Sequence, residues 1–210
     1  MTYAVKEAFL TLQGEGVQAG SRAVFLRFAG CNLWSGREAD RAAAVCNFCD
    51  TDFVGTDGVG GGKFAEAERL AAQVAALWGD QLGHRLVVIT GGEPMLQLDS
   101  ALVDALHDNG FRIAVESNGT IAATPGIDWL CISPKAGSVV VQRQGDELKL
   151  VWPQAGIDPV VLEAWDFEHF LVQPMDCADH AAALAAAIAL AMERPRWRLT
   201  LQAHKVVGLP

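Results

Sequence analysis

Short apolar runs recur along this chain, and their alternation with helical patterns limits the folds open to it more than any other feature. AVFLRFAG (Ala23–Gly30), RLVVIT (Arg85–Thr90), RIAVES (Arg112–Ser117), WLCIS (Trp129–Ser133), LKLVW (Leu148–Trp152) and HFLVQ (His169–Gln173) read as buried strands. Each is rich in β-branched or aromatic residues and bounded by Gly, Pro or polar residues. RWRLTLQ (Arg196–Gln202) is a candidate seventh. Helical patterns lie between several of them. Phe64–Trp78 sets Leu70, Val74 and Leu77 on one face, and Ser100–Gly110 turns Leu102, Val103 and Leu106 inward with Gly110 as its stop. His180–Met192 follows Asp179, a candidate N-cap, and aligns Leu184, Ile188 and Met192. This alternation predicts an α/β fold with a mostly parallel sheet covered on both faces. Six or seven strands fall short of an eight-stranded barrel. An open or partial barrel is expected, irregular in its second half, where no helix separates SPKAGSVVVQ from LKLVW.

The chain has 210 residues and no Pro/Ser-rich linker or charge block, so one domain over 1–210 is expected. A net charge of −9 argues against a nucleic-acid-binding surface. The N-terminus shows no secretory signal, and the longest apolar run, Ala181–Met192, is too short to span a bilayer. With an odd number of cysteines and no leader, a reducing, cytoplasmic compartment is expected. The glycine-rich VGTDGVGGGK (Val54–Lys63) lacks the Gly-Lys-Ser/Thr ending of a phosphate loop and reads as a flexible connector.

The polar residues at the strand ends are more informative. GCN, TGGEP, ESNGT, SPK, QPMD and QAHK stand in turn after the strand runs. In parallel α/β folds the C-terminal strand ends share one rim, where ligands bind. Six polar clusters should therefore converge on one mouth. Turn formation alone accounts for SNG but gives no reason for Glu116, Lys135, Gln173 or His204.

Cys46 and Cys49 form a CxxC pair, and Cys31 precedes Cys46 by fourteen intervening residues. Three thiols leave a structural zinc one ligand short. Cys131 sits in an apolar strand as a small core residue, and Cys177 lies far off. A redox pair would not need the third cysteine. Three thiolates on an iron–sulfur cube would leave one iron open. Taken alone, the cysteines fit a zinc site, core thiols or a cluster.

The cysteines on the loop after the first strand, Phe48 before the last of them, and GGEP after the next strand together resemble the radical S-adenosylmethionine (SAM) superfamily. There three cysteines bind a 4Fe–4S cluster and SAM takes the fourth iron. The superfamily has three residues between its first two cysteines; here Asn32–Val45 reads as a loop insertion, where added length costs little closure entropy. EAFLTLQGEG, GCNL, CNFCDT, TGGEP, ESNGT, SPK, QPMD and QAHK, in that order from Glu7 to Lys205, are similar to the 7-carboxy-7-deazaguanine synthase family.

That resemblance implies a trimmed radical SAM barrel of the partial (β/α)6 type, usually a homodimer. It implies a carbon–nitrogen lyase of queuosine (7-deazapurine) biosynthesis that contracts 6-carboxy-5,6,7,8-tetrahydropterin to 7-carboxy-7-deazaguanine with loss of ammonia. The radical chemistry needs an electron donor such as flavodoxin, and Mg2+ assists. By the same resemblance Cys31, Cys46 and Cys49 would hold the cluster and Thr51 the Mg2+. SAM would meet Phe48, Asp50, Gly92, Ser133, Pro134 and Lys135, with Glu116 and Ser117 at its ribose and Gln173, Pro174, Met175 and Asp176 at its adenine. The pterin would meet Leu12, Gln13, Gly14, Glu15 and Thr90. Arg27, at mid-strand, faces either solvent or the barrel interior; inside, it would need an anion, which the substrate carboxylate supplies. His204 is either a packed residue or a site residue. The tail is expected to fold back and bring the Pro210 carboxylate to the pterin's amino edge. Two other readings share parts of the pattern: a glycyl-radical activase, with the same cysteines and GGEP, and a non-catalytic zinc module.

Overall fold

A computed structural model describes residues 2–209. Nine strands form one open sheet in the order β3-β1-β2-β4-β5-β6-β7-β8-β9. They are β1 (Tyr3–Leu12), β2 (Arg22–Phe28), β3 (Gly62–Phe64), β4 (Leu86–Gly91), β5 (Arg112–Ser117), β6 (Trp129–Ile132), β7 (Gln144–Trp152), β8 (Asp166–Pro174) and β9 (Trp197–Leu199). From β2 to β9 every pairing is parallel, whereas β1 runs antiparallel to both β2 and β3. The seven expected strands are all present, and an unread antiparallel ribbon precedes them. The glycine-rich stretch is no loose connector. Its end forms β3, and Val59 and Gly58 make backbone hydrogen bonds with Ala8 and Lys6 of β1 at 2.8 and 3.0 Å.

The main helices are α1 (Ala67–Trp78), α2 (Ser100–Asp108), a short α3 (Pro159–Leu162), α4 (His180–Glu193) and a short α5 (Ala203–Val207). Asp99 and Asp179 cap α2 and α4 by accepting from Leu102 and Ala182 N–H groups. Leu70 and Val74 of α1, Leu102 and Leu106 of α2 and Leu190 of α4 join one large core. That core also takes Val24, Leu26, Ile89, Ile113, Ile132, Leu148, Leu150 and Val172, which share one parity along their strands. Helices α1, α2 and α4 therefore lie on one sheet face, not on both. The opposite face holds a small apolar cluster of Ala23, Leu86, Val88 and Ala114, and above it the sheet lines a cavity.

Helix α4 also differs from its expected orientation. Ala183, Ala187 and Leu190 face the sheet, while Ile188 and Met192 are exposed. A helix that is apolar all round has no unique stripe to bury, and alanines permit a closer approach of helix to sheet. Among the described residues no helix is long and apolar enough to cross a membrane.

Candidate active site

The strand ends open on a cavity of about 370 Å3, a size typical of small-molecule sites. Six strands supply side chains to it: Glu7 and Phe9 (β1), Phe25 and Arg27 (β2), Thr90 (β4), Glu116 (β5), Lys149 (β7) and Gln173 (β8). All six polar clusters at the ends of the strand runs reach its wall.

Cys31, Cys46 and Cys49 share one wall with Phe48, Asp50 and Thr51. None is in a disulfide. The Cys49 sulfur donates to the Thr51 carbonyl at 3.9 Å; its neighbour Cys46 lowers the Cys49 thiol, while Cys49 and then burial raise Cys46. Burial also raises Cys31, whose sulfur accepts from the Leu33 N–H at 3.4 Å. Among the described residues no three His, Cys, Asp or Glu side chains form a group that could hold a single metal ion.

Gly92 backs this wall. A Cβ there would stand 2.2 Å from the Gly30 carbonyl oxygen and 2.6 Å from the Cys31 Cβ, so only glycine lets the GGEP turn seat against the first cysteine. The next residue, Glu93, is fully buried and serves as a hub. Its carboxylate accepts from the Met95 and Asn118 N–H groups at 2.9 and 2.8 Å and from the Ser117 hydroxyl at 2.9 Å. Burial raises the Glu93 carboxyl in spite of these donors. Ser117 is thus committed to tying β5 to the turn after β4.

On the adjoining wall Lys135 donates to the carbonyl and hydroxyl of Ser133 at 2.8 and 2.7 Å. Burial lowers the Lys135 ammonium, against the pull of Cys46. Gln173 is 4% exposed, and its Oε1 has no hydrogen-bond partner among the described residues. A buried acceptor left open at a cavity wall marks a place for a ligand's donor. Pro174 and Asp176 also line the cavity. Met175 and Pro134 stand behind the wall, where the Met175 N–H donates to Trp152 and the Pro134 carbonyl accepts from Gln154.

A buried charge network forms the floor. Arg27 lies inside the cavity, not in solvent, and donates from Nε to Glu7 at 2.7 Å. Glu7 engages only that edge, so both terminal guanidinium nitrogens lack a partner among the described residues. Thr90 is its register neighbour on β4. Lys149 pairs with Glu15 and, at 3.0 Å, with Glu116, which also accepts from Gln13 at 2.9 Å. Burial alone would raise Glu116, but Lys149, Gln13 and Arg27 outweigh it and hold the carboxyl below its ordinary value. Glu116 and Lys149 are thus mutually satisfied.

The mouth is closed by α5. Gly14 accepts from the Ala203 N–H at 2.9 Å, and a Cβ on Gly14 would meet the His204 ring at 2.1 Å. The glycine of LQGEG is what lets His204 pack there, with Leu12 at the rim. Gln202 donates to Glu15 at 2.9 Å and to Asp50 at 3.3 Å. Lys205 bridges Asp50, at 2.8 Å, and Asp176. Burial would raise the Asp50 carboxyl, but Lys205 and Gln202 outweigh it and lower it. Pro210 lies outside the described residues.

No family model matches the chain. It is 63% identical over its whole length to the complete 7-carboxy-7-deazaguanine synthase of Caulobacter vibrioides, and 59% to that of Bordetella pertussis, again with both chains covered in full. The chain belongs to the 7-carboxy-7-deazaguanine synthase family. A crystal structure of QueE from Escherichia coli superposes with a TM-score of 0.69 at 27% identity, covering 97% of this chain and 95% of that one. Membership in this radical SAM family implies SAM and a 4Fe–4S cluster. The cavity suits such a pair chemically, with three soft thiols on one wall and the unpaired Gln173 oxygen on another.

Several cavity residues of this family member escape a reading of motifs. Glu7, Phe9 and Lys149 lie inside strands, and the QAHK cluster, expected at the rim, reaches it through an unread short helix. The available signal was charge inside an apolar strand: Lys149 in LKLVW has no other reason to be there.

Proposed function

We propose that this chain is a radical SAM carbon–nitrogen lyase that converts 6-carboxy-5,6,7,8-tetrahydropterin to 7-carboxy-7-deazaguanine with loss of ammonia, a step of queuosine biosynthesis. The observation that carries this reading is one cavity with three thiols on one wall and, on its floor, an arginine whose two terminal nitrogens have no partner among the described residues. When bound, the cluster and SAM supply the 5′-deoxyadenosyl radical that takes a hydrogen from the pterin.

The chain's own residues bind and orient. Cys31, Cys46 and Cys49 provide thiolates. The Arg27 terminal nitrogens take the substrate carboxylate as a fork, and Glu7 fixes the guanidinium plane from its Nε edge. Gln13, Gly14 and Glu15, held from below by Lys149, present backbone and amide groups to the pterin edge. His204 covers it. The Gln173 oxygen accepts from the nucleotide, with Ser133, Lys135 and Gly92 alongside. Burial of the floor charges keeps water from the reacting ring.

Mg2+ would sit at Thr51, completed by substrate oxygens and water. The neighbouring Asp52 carboxylate is engaged by Lys6 at 2.8 Å and does not compete. The chain acts as a homodimer in the cytoplasm and takes electrons from a flavodoxin-type donor. The test is anaerobic reconstitution with iron and sulfide, followed by SAM, a reductant, Mg2+ and the carboxy-tetrahydropterin. Mass analysis should show the deazaguanine acid, formed more slowly without Mg2+. A fully loaded chain that leaves the pterin unchanged refutes the reading.

A further inference from the structure

The residues between Cys31 and Cys46 take no part in the proposed chemistry, yet they form a packed unit. Trp34 is buried, edge-on to Phe53 with ring centroids 5.5 Å apart, and its indole N–H donates to the Arg37 carbonyl at 3.2 Å. The Arg41 guanidinium lies 4.1 Å over the Trp34 ring. Its Nε donates to both carboxylate oxygens of Glu38 at 2.9 and 2.8 Å. Its Nη1 donates to the backbone carbonyls of Asn47 at 3.1 Å and Cys49 at 3.0 Å. The Cys46 N–H closes the unit at its base by donating to the Leu33 carbonyl at 3.4 Å. One cation from the insertion thus grips the backbone on both sides of Phe48, between the second and third thiols.

We propose that Arg41 is a positioning residue for the cluster ligands: a clasp, seated on Trp34 and steered by Glu38, that fixes the Cys46–Cys49 turn before iron arrives. A short spacer restrains two thiols by its length. A long one gives up that restraint as loop entropy, and here cation–π stacking and charge-assisted hydrogen bonds restore it. Lysine cannot substitute, because a point charge has neither the planar face nor the fork needed to hold ring, carboxylate and two carbonyls together. The inference rests on the proposed iron–sulfur function.

The test compares Arg41→Gln and Arg41→Lys with the wild-type full chain, each reconstituted anaerobically. Iron release to a chelator and, in the cluster-free chain, hydrogen exchange of the Cys46 amide, which donates to Leu33, are the readouts. Both variants should lose iron roughly ten-fold faster than wild type, as expected for removal of charge-assisted hydrogen bonds. Protection of the Cys46 amide should fall while the cluster-free thermal midpoint stays unchanged, since Arg41 is partly exposed and outside the core. Wild-type release and protection in both variants would overturn the proposal, as would a lowered thermal midpoint with unchanged release. If Arg41→Gln does not fold, the charge-retaining Arg41→Lys decides alone. A wild-type chain that takes up no iron and sulfide overturns the iron–sulfur reading instead.

Discussion

Lys149 is one buried cation between two half-buried carboxylates, and the shape of the cavity floor depends on it. It is 4% exposed and engages Glu15 and Glu116 together, which holds its ammonium well above the usual range against the effect of burial. Lys149→Met would strand two half-buried carboxylates and should cost roughly 2–3 kcal/mol at neutral pH, less than a fully buried pair. The pH dependence gives a sharper signature. In the wild type Glu116 sits below its ordinary value, so its contribution is present above the unfolded carboxyl range and is lost as pH falls through the folded value. In the variant, burial without Lys149 raises the Glu116 carboxyl, so the folded state gains a proton and stability recovers on acidification. The gap between wild-type and variant urea midpoints should therefore be smaller at about pH 5 than at about pH 7.5, and an equal gap at both would contradict the assignment. At this scale the sequence was legible in placement where polar residues sit on loops or at strand ends: Cys31, Cys46, Cys49 and Gln173 all line the cavity. It was illegible where charge hides within strands, because the apolar period around Lys149 and Glu7 outweighs a single polar letter.

Strands with a continuous apolar run were the readable elements, since burial of an inner sheet demands that run. The antiparallel β1 went unread because a register shift between Val5 and Glu7 interrupts its alternation and brings Lys6 and Glu7 together at its centre. Short α5 has too few residues to show a period, yet it closes the cavity. Its seat on Gly14 predicts that Gly14→Ala, by driving a methyl into the His204 ring, will unseat the helix and abolish turnover while leaving the iron–sulfur spectrum intact. Hydrogen exchange over 203–207 should accelerate in the variant. Adding His204→Ala should restore protection though not activity, because the two changes share one contact and are not additive. Equal exchange in all three chains would remove Gly14 from this role.

One sheet carries strands from β1 to β9, and a single core of helix and strand residues runs beneath it. The expectation of one domain becomes, at this scale, a prediction of one cooperative transition. Tryptophan fluorescence and far-ultraviolet circular dichroism should give the same denaturant midpoint for the cluster-free chain. Separate midpoints would divide the molecule into independently folding parts. The mouth has a further, temporal consequence through the hydrogen bond from Gln202 to Glu15, residues 187 positions apart. A ribosome delivers the sulfur-bearing loop, Arg27 and Lys149 well before Gln202 and Lys205, so the bowl is built before its brim. Translation order itself leaves the metal side accessible first and encloses the organic ligands' chamber last.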